Sequence, residues 1–230
     1  MTSSVALLLK ELRLPAFVRH YEKLWQTAVE KGWSHSDYLA ALCEYELAER
    51  FTRRTQSWVR EGRLAPGKTL STLDNSVLSR TNQALIAKLH QDLSWAHHAD
   101  NILLIGPSGT GKTHIANALG YRLIEQGIRC KLFPAIGLVQ QLQQAKRELD
   151  LMSEMSKLDK YQVIIIDDIG YVKKTDAETQ VLFEFIAHRY ESGSLIITAN
   201  HPFSAWDQIF PDSMMTVAAI DRLIHHATII

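Results

Sequence analysis

One stretch restricts the fold of this chain more than any other: Asn-Ile-Leu-Leu-Ile-Gly-Pro-Ser-Gly-Thr-Gly-Lys-Thr, residues 101 to 113. Four apolar residues, Ile102 to Ile105, end at Gly106, and the eight residues Gly106 to Thr113 lead into a helix-compatible segment. The spelling Gly106-x4-Gly111-Lys112-Thr113, with a strand before it and a helix after it, is that of a P-loop. The glycines let successive backbone N–H groups turn inward around a polyphosphate, which side chains at Gly106, Gly109 or Gly111 would obstruct. Lys112 brings a charge to the β- and γ-phosphates, Thr113 a hydroxyl to Mg2+, and the helix that follows its positive end. A chance match in a chain of this length is on the order of 1% at ordinary residue frequencies. The predicted nucleotide-contacting residues are Gly106, Pro107, Ser108, Gly109, Thr110, Gly111, Lys112, Thr113 and His114, with a nucleoside triphosphate and Mg2+ as ligands.

Other apolar runs share the character of the one before Gly106. Cys130 to Phe133, Val163 to Ile166 and Leu195 to Thr198 are continuous rather than alternating, and helical patterns separate them. That arrangement predicts a parallel sheet buried on both faces by helices, an α/β fold. Ile115 to Ile124 reads as a helix ended by Gly127, Ala135 to Leu149 as a second and 175 to 191 as a third, whereas Asp150 to Lys160 reads as a polar connection. Thr228-Ile229-Ile230 looks like the start of a final strand.

Residues 1 to about 63 carry a different pattern. Val5, Leu8, Leu9 and Leu12 are at helical spacing until Pro15 interrupts it; Phe17, Tyr21, Leu24, Trp25 and Ala28 form a second face until Gly32. Ser34 and Asp37 resemble a capping box opening a third helix, with Leu39, Leu42, Cys43, Leu47 and Phe51 on one side. The expectation is a small all-helical domain over 1–66 with little core, a turn-rich linker over 67–76, and a nucleotide-binding domain over 77–230. The end of the third helix is basic, with Arg50, Arg53, Arg54, Arg60 and Arg63 interleaved with Phe51 and Trp58. A nucleic-acid or partner-docking face and a solvated helix face both fit it.

Composition excludes several classes. Apolar content of 46% rules out a mostly disordered chain, and a net charge of zero gives no overall case for nucleic acid, although a local patch suffices. Cys43 and Cys130 have no metal-ligand spacing and read as buried thiols. His97-His98 has no partner ligands and reads as surface. No apolar stretch approaches membrane-spanning length, and no basic residue precedes the short apolar run Val5 to Leu9 as in a secretory signal. The chain reads as soluble and cytoplasmic.

Around the phosphate, Val163 to Asp168 is an apolar strand ending in two carboxylates, as in a Walker B element. Asp167 is the expected Mg2+-shell ligand, and Asp168 the group that orients or deprotonates the attacking water. Asn200, after the next strand, fits a hydrogen bond to the γ-phosphate or the lytic water, and equally a turn residue before Pro202. Arg222 fits either a finger reaching a neighbouring subunit's nucleotide or a surface arginine.

Gly-Pro-Ser-Gly-Thr-Gly-Lys-Thr at 106–113, Ile-Ile-Ile-Asp-Asp-Ile-Gly-Tyr at 164–171, Ile-Ile-Thr-Ala-Asn at 196–200 and Asp-Arg-Leu-Ile-His-His at 221–226 together resemble the IstB family. These are the helper ATPases of bacterial insertion sequences, AAA+ proteins similar to bacterial helicase loaders. The resemblance covers nearly the whole chain, including the linker Lys-Thr-Leu-Ser-Thr-Leu-Asp at 68–74. It implies an AAA+ domain with a parallel five-stranded sheet in which the Asn200 strand lies between the P-loop and Walker B strands. It implies that Asn200 is a sensor and Arg222 an inter-subunit finger, so that the catalytic set is Lys112, Asp168, Asn200 and Arg222. It also implies homo-oligomers with ATP between subunits, assembled on duplex DNA, bending it and delivering it to a cognate transposase. By analogy with initiator-type proteins, Lys146 with Arg147 and Lys173 with Lys174 are the expected DNA contacts, beside Arg50, Arg53 and Arg54; solvated surface charge fits each pair as well.

Two departures stand out. Many AAA+ ATPases have Glu where this chain has Asp168, and the shorter side chain predicts slow hydrolysis. Family members also continue past the position of Ile230. A replicative helicase loader, and a DNA-bending scaffold for which ATP is only an assembly ligand, are the alternative readings.

Overall fold

The strand order and the helices that cover it follow from where the apolar runs sit in the chain. The structure, a computed structural model, describes residues 2–170, 175–208 and 213–230. It divides into two units, Met1–Ser57 and Trp58–Ile230.

The first unit holds α1 (Thr2–Glu11), α2 (Pro15–Lys31) and most of α3 (His35–Glu61). Pro15 is the first residue of α2, where its missing N–H leaves no bond unmade. Gly32, at φ 65°, ends α2 in the left-handed conformation, and the Trp33 N–H closes the turn on Ala28 O at 2.9 Å. Ser34 and Asp37 cap α3 reciprocally: the Asp37 N–H donates to Ser34 Oγ and the Ser34 N–H to Asp37 Oδ2, both at 3.1 Å. The core is thin, made of Ala16, Phe17, Ala28 and Leu42.

The apolar face expected on α3 is only partly buried. Leu39, Leu47 and Phe51 are exposed, and so is Cys43, which corrects its reading as a buried thiol. Positions 39, 43 and 47 form one stripe and Leu42 with Glu46 the next; the unit buries the second. Glu46 is 4% exposed, accepts from the Ala16 N–H and from Arg50 Nε (both 2.8 Å), and has Arg53 at 3.6 Å. Burial would raise its carboxyl, but the bonds from Arg50 and Ala16 outweigh burial and lower it.

In the second unit come α4 (Arg80–Gln91), α5 (Ser94–His97), β1 (Asn101–Ile105), α6 (Lys112–Glu125), β2 (Cys130–Pro134), α7 (Ala135–Arg147), α8 (Leu151–Leu158), β3 (Val163–Asp167), α9 (Asp176–Arg189), β4 (Ser194–Ala199), α10 (Ser213–Ile224) and β5 (Ala227–Ile229). The five strands are parallel in the order β2-β3-β4-β1-β5, so the Asn200 strand does lie between the P-loop and Walker B strands. Register pairs Ile102 with Ile196 and Ile165 with Ile196, and β1 to β4 each feed a core on both faces. One core gathers Phe133, Leu138, Ile166, Phe185 and Trp206; the other Leu104, Leu119, Leu123, Ile165 and Ile196. The connection expected over 150–160 contains α8, a short helix whose Met155 and Leu158, three apart, reach the core.

The boundary between units falls inside α3 rather than in the turn-rich stretch 67–76, because residues 62–73 pack onto the sheet unit. The Gly62 carbonyl accepts from the Leu132 N–H of edge strand β2 at 2.8 Å. A Cβ at Gly62 would lie 2.7 Å from Cys130 O, so only glycine permits this approach. Leu64 and Leu73 are buried, and the Ala65 N–H donates to Asn117 Oδ1 at 2.7 Å. Beside Gly62, Glu61 takes a bidentate pair from Arg129 (2.8 and 3.0 Å), the Tyr161 hydroxyl (2.8 Å) and Lys160 (3.0 Å). Burial would raise its carboxyl; the bonds from Lys160, Tyr161 and Arg129 outweigh burial and bring it down to about 2. No helix of the described residues is long and apolar enough to cross a membrane.

Candidate nucleotide site

The sheet sets the site by ending β1, β3 and β4 together at one edge. Beyond β1, the loop reaches α6 through Gly109 and Gly111, at φ 85° and 87°, a conformation that L side chains rarely adopt. Lys112 Nζ bonds the carbonyl of Pro107 in its own loop at 2.7 Å, and the Thr110 hydroxyl bonds the same carbonyl at 2.9 Å. A cavity of about 380 Å3 is lined by Lys68, Ser108, Gly109, Gly111, Lys112, Thr113, His114 and Asp168. It gathers most of the predicted nucleotide-contacting residues with one of the two carboxylates.

The two carboxylates differ in setting. Asp167 Oδ1 accepts from Thr113 Oγ1 at 2.9 Å and from Thr198 Oγ1 at 2.7 Å. The Thr198 oxygen accepts in turn from the Asp168 N–H at 2.8 Å. These bonds tie P-loop, β3 and β4 together and fix Asp167. Asp168 turns into the cavity in a left-handed conformation, φ 60°, which costs a non-glycine residue roughly 1 kcal/mol or more. Burial raises its carboxyl, neighbouring Asp167 adds to the rise, and Lys112 opposes it. The Lys112 ammonium is lowered by burial, against the pull of Asp168 and Asp167.

Asn200 follows Ala199, whose carbonyl accepts the Gly106 N–H at 3.1 Å, so it stands at the root of the loop. Its Oδ1 is buried with no hydrogen-bond partner among the described residues. Arg222 is elsewhere. It donates to Ala218 O at 2.9 Å, lies over the Phe183 ring at 5.3 Å, and lines a separate cleft with Tyr190, Met214, Val217 and Asp221.

The expected DNA contacts are scattered. Lys146 pairs with Glu184 at 2.8 Å and Arg147 with Gln144 at 2.9 Å, on a cleft of about 340 Å3 shared with Gln143 and Gln180. Arg50 and Arg53 are held by Glu46, and Arg54 lies 5.6 Å from the Phe51 ring centre. Lys173 and Lys174 lie outside the described residues.

Two residues at the site were missed from sequence. Thr198 is fully buried; its signal was a hydroxyl inside an otherwise apolar strand. Lys68 was read as linker, and no local pattern separates it from a solvated lysine.

The residues present fit Mg2+ and a polyphosphate. A hydroxyl and a carboxylate, Thr113 and Asp167, form the hard oxygen set Mg2+ requires, and Gly109 and Gly111 give the loop the left-handed turns of a phosphate cradle.

Comparison with known proteins agrees with this geometry. A family model described as IstB-like ATP binding protein matches residues 7–230. An insertion sequence ATP-binding protein of Sinorhizobium fredii is 45% identical over 98% of this chain and 76% of its own length. The IS21 ATP-binding protein of Pseudomonas aeruginosa is 32% identical over 96% of this chain and 83% of its own. Among solved structures, the DnaC helicase loader superposes with a TM-score of 0.61 at 20% identity, over 71% of this chain and 96% of that one. AMPPCP-bound DnaA from Aquifex aeolicus gives 0.59 at 16%, over 73% and 51%. The structural likeness shows a shared fold, and the match along nearly the whole sequence shows that the chain belongs to the IstB-like ATP binding protein family.

Proposed function

We propose that this protein hydrolyses ATP while assembled as an oligomer on duplex DNA, bends that DNA and delivers it as target to a partner transposase. One observation carries the reading: the chain's own cavity is lined by the P-loop and Asp168, while Arg222 lines a different cleft. Read as a finger, Arg222 acts on the site of a neighbour, and its distance from its own site supports that reading. The insertion sequence ATP-binding proteins it resembles supply the transposition context.

Thr113 and Asp167 would hold Mg2+, which when bound neutralises charge on the β- and γ-phosphates. Loop N–H groups and Lys112 bind and orient the phosphates, Lys112 leaving the Pro107 carbonyl to do so. Asn200 holds the attacking water, whose O–H donates to its unpaired Oδ1. Asp168, made more basic by burial and by Asp167, accepts a proton from that water. Arg222 of the neighbouring subunit stabilises charge on the transferring phosphoryl group, so turnover requires assembly, and hydrolysis loosens it. Lys146 and Arg147 track the DNA backbone, and the unit over 1–57 docks DNA or the partner.

The test is ATPase rate against protein concentration, with and without duplex DNA. Lys112→Ala should lose ATP binding; Arg222→Ala should keep it and lose hydrolysis, on the order of a thousandfold. Mixing Arg222→Ala with Asp168→Asn should restore part of the rate, since each supplies what the other lacks. A rate per molecule independent of concentration would sink the proposal. The likeness to the DnaC helicase loader favours a second reading, loading of a replicative helicase; capture of helicase rather than transposase by the full chain would select it.

A further inference from the structure

Lys68 faces the nucleotide cavity from a segment outside the P-loop, the strand ends and α10. Its position is built by its neighbours. Gly67 turns the chain at φ 77°, and the Thr72 hydroxyl donates to the Gly67 carbonyl at 2.6 Å and accepts from the Thr69 N–H at 3.1 Å. Those two bonds fix the backbone on both sides of Lys68. The segment is then fastened to α6. His114 Nε2 lies 2.8 Å from the Thr69 carbonyl, and since a carbonyl only accepts, that nitrogen carries the proton. Leu73 is buried against Gly111, its methyl 3.5 Å from where a Cβ would stand.

Lys68 is half-buried and forms no ion pair with any described residue. A lysine lining a polar cavity, with its backbone immobilised and no carboxylate within ion-pair distance among the described residues, is placed to meet an anion. The site has a polarity. With Lys112 read as the lysine that reaches the β- and γ-phosphates, the part of the cavity past it, at His114, is assigned to the α-phosphate side. The segment that carries Lys68 is held to His114 through the Thr69 carbonyl.

We infer that Lys68 is a second nucleotide-binding lysine, pairing with the α- and β-phosphates of the bound nucleotide across the cavity from Lys112. The inference rests on reading the loop as a nucleotide site. It gives the segment 67–73 a ligand-binding role beyond that of a connector. Because the α- and β-phosphates occur in both ATP and ADP, Lys68 holds the nucleotide before and after hydrolysis, and Lys112 discriminates the two.

The test is competition of ATP and of ADP against a fluorescent ATP analogue, with Mg2+, on the full chain carrying Lys68→Ala, Lys68→Gln or Lys68→Arg. Lys68→Ala and Lys68→Gln should weaken ATP and ADP by the same factor, on the order of tenfold. Lys68→Arg should restore most of the loss, and thermal unfolding without nucleotide should be unchanged in all three. Wild-type binding of ATP matched by Lys68→Ala overturns the inference and leaves the nucleotide site standing. A loss confined to ATP also overturns it, by moving Lys68 to the γ-phosphate. Failure of the wild type to bind either nucleotide overturns the reading of the loop itself.

Discussion

The helical unit over 1–57 and the sheet unit over 58–230 solve the problem of burial in opposite ways. The sheet unit has strands covered on both faces, so Ile164, Ile165, Ile196 and Leu103 are fully buried and contribute packing on either side. Among its described residues the helical unit buries four apolar side chains and then a carboxylate, Glu46, whose position depends on Arg50, Arg53 and the Ala16 N–H. A buried ion of this kind offers little net stability but becomes costly once a partner is lost. A three-helix piece cannot enclose a wide apolar stripe, so Leu39, Leu47 and Phe51 remain on its surface.

That contrast can be broken by mutation, with unfolding followed in the presence and absence of ATP to separate the units. The largest effect should come from Ile165→Ala, which empties space between β3 and α6 and should remove about 2–5 kcal/mol from the transition that ATP stabilises. If the ATP-insensitive transition moves instead, the two cores are not independent. Glu46→Gln should cost about 1–3 kcal/mol by leaving buried donors with a weaker acceptor, and should move only the transition ATP does not stabilise.

Acid gives a graded comparison. The Glu61 carboxyl sits at about 2 when folded, below the ordinary value of 4.5. Its contribution is therefore complete above 4.5 and is lost as pH falls through 2. Stability of the sheet unit measured from pH 6 to 2 should fall along that window, and Glu61→Gln should flatten the fall; an unaltered acid profile would remove Glu61 from the account. The smallest effect belongs to Leu47→Ala, which should stay within about 0.5 kcal/mol because the side chain is 66% exposed. A larger loss in the free protein would mean that α3 buries Leu47 against something in solution.

Legibility followed the same contrast. The continuous runs ending at Ile105, Ile166 and Thr198 announced a parallel sheet because a strand buried on both faces tolerates no polar alternation. The α3 face was misjudged because helical spacing reports which residues share a side, not whether the domain is large enough to cover it; Cys43 is the cost of that step. The segment Asp150 to Lys160 hid α8, since eight residues with two core contacts give too little periodicity. Gly62 carried no local sign of its role, which exists only because the Cys130 carbonyl approaches from strand β2.

At the site, Gly106 to Thr113 spelled its chemistry because a phosphate cradle is local: neighbouring N–H groups, a lysine and a hydroxyl on one turn. Asp167 and Asp168 were equally visible, but their division of labour was not. Thr198, brought from the adjacent strand, ties down one carboxylate and leaves the other facing the cavity. The sequence by itself thus determined that this chain holds a nucleotide on a parallel α/β sheet. Only the tertiary structure decided that Lys68 lines the same cavity as the loop, that Thr198 ties Asp167 down, and that Arg222 lines a different cleft. The physical reason is distance along the chain: groups on one loop are positioned by their own backbone, whereas groups on separate strands and turns are positioned by the packing between them.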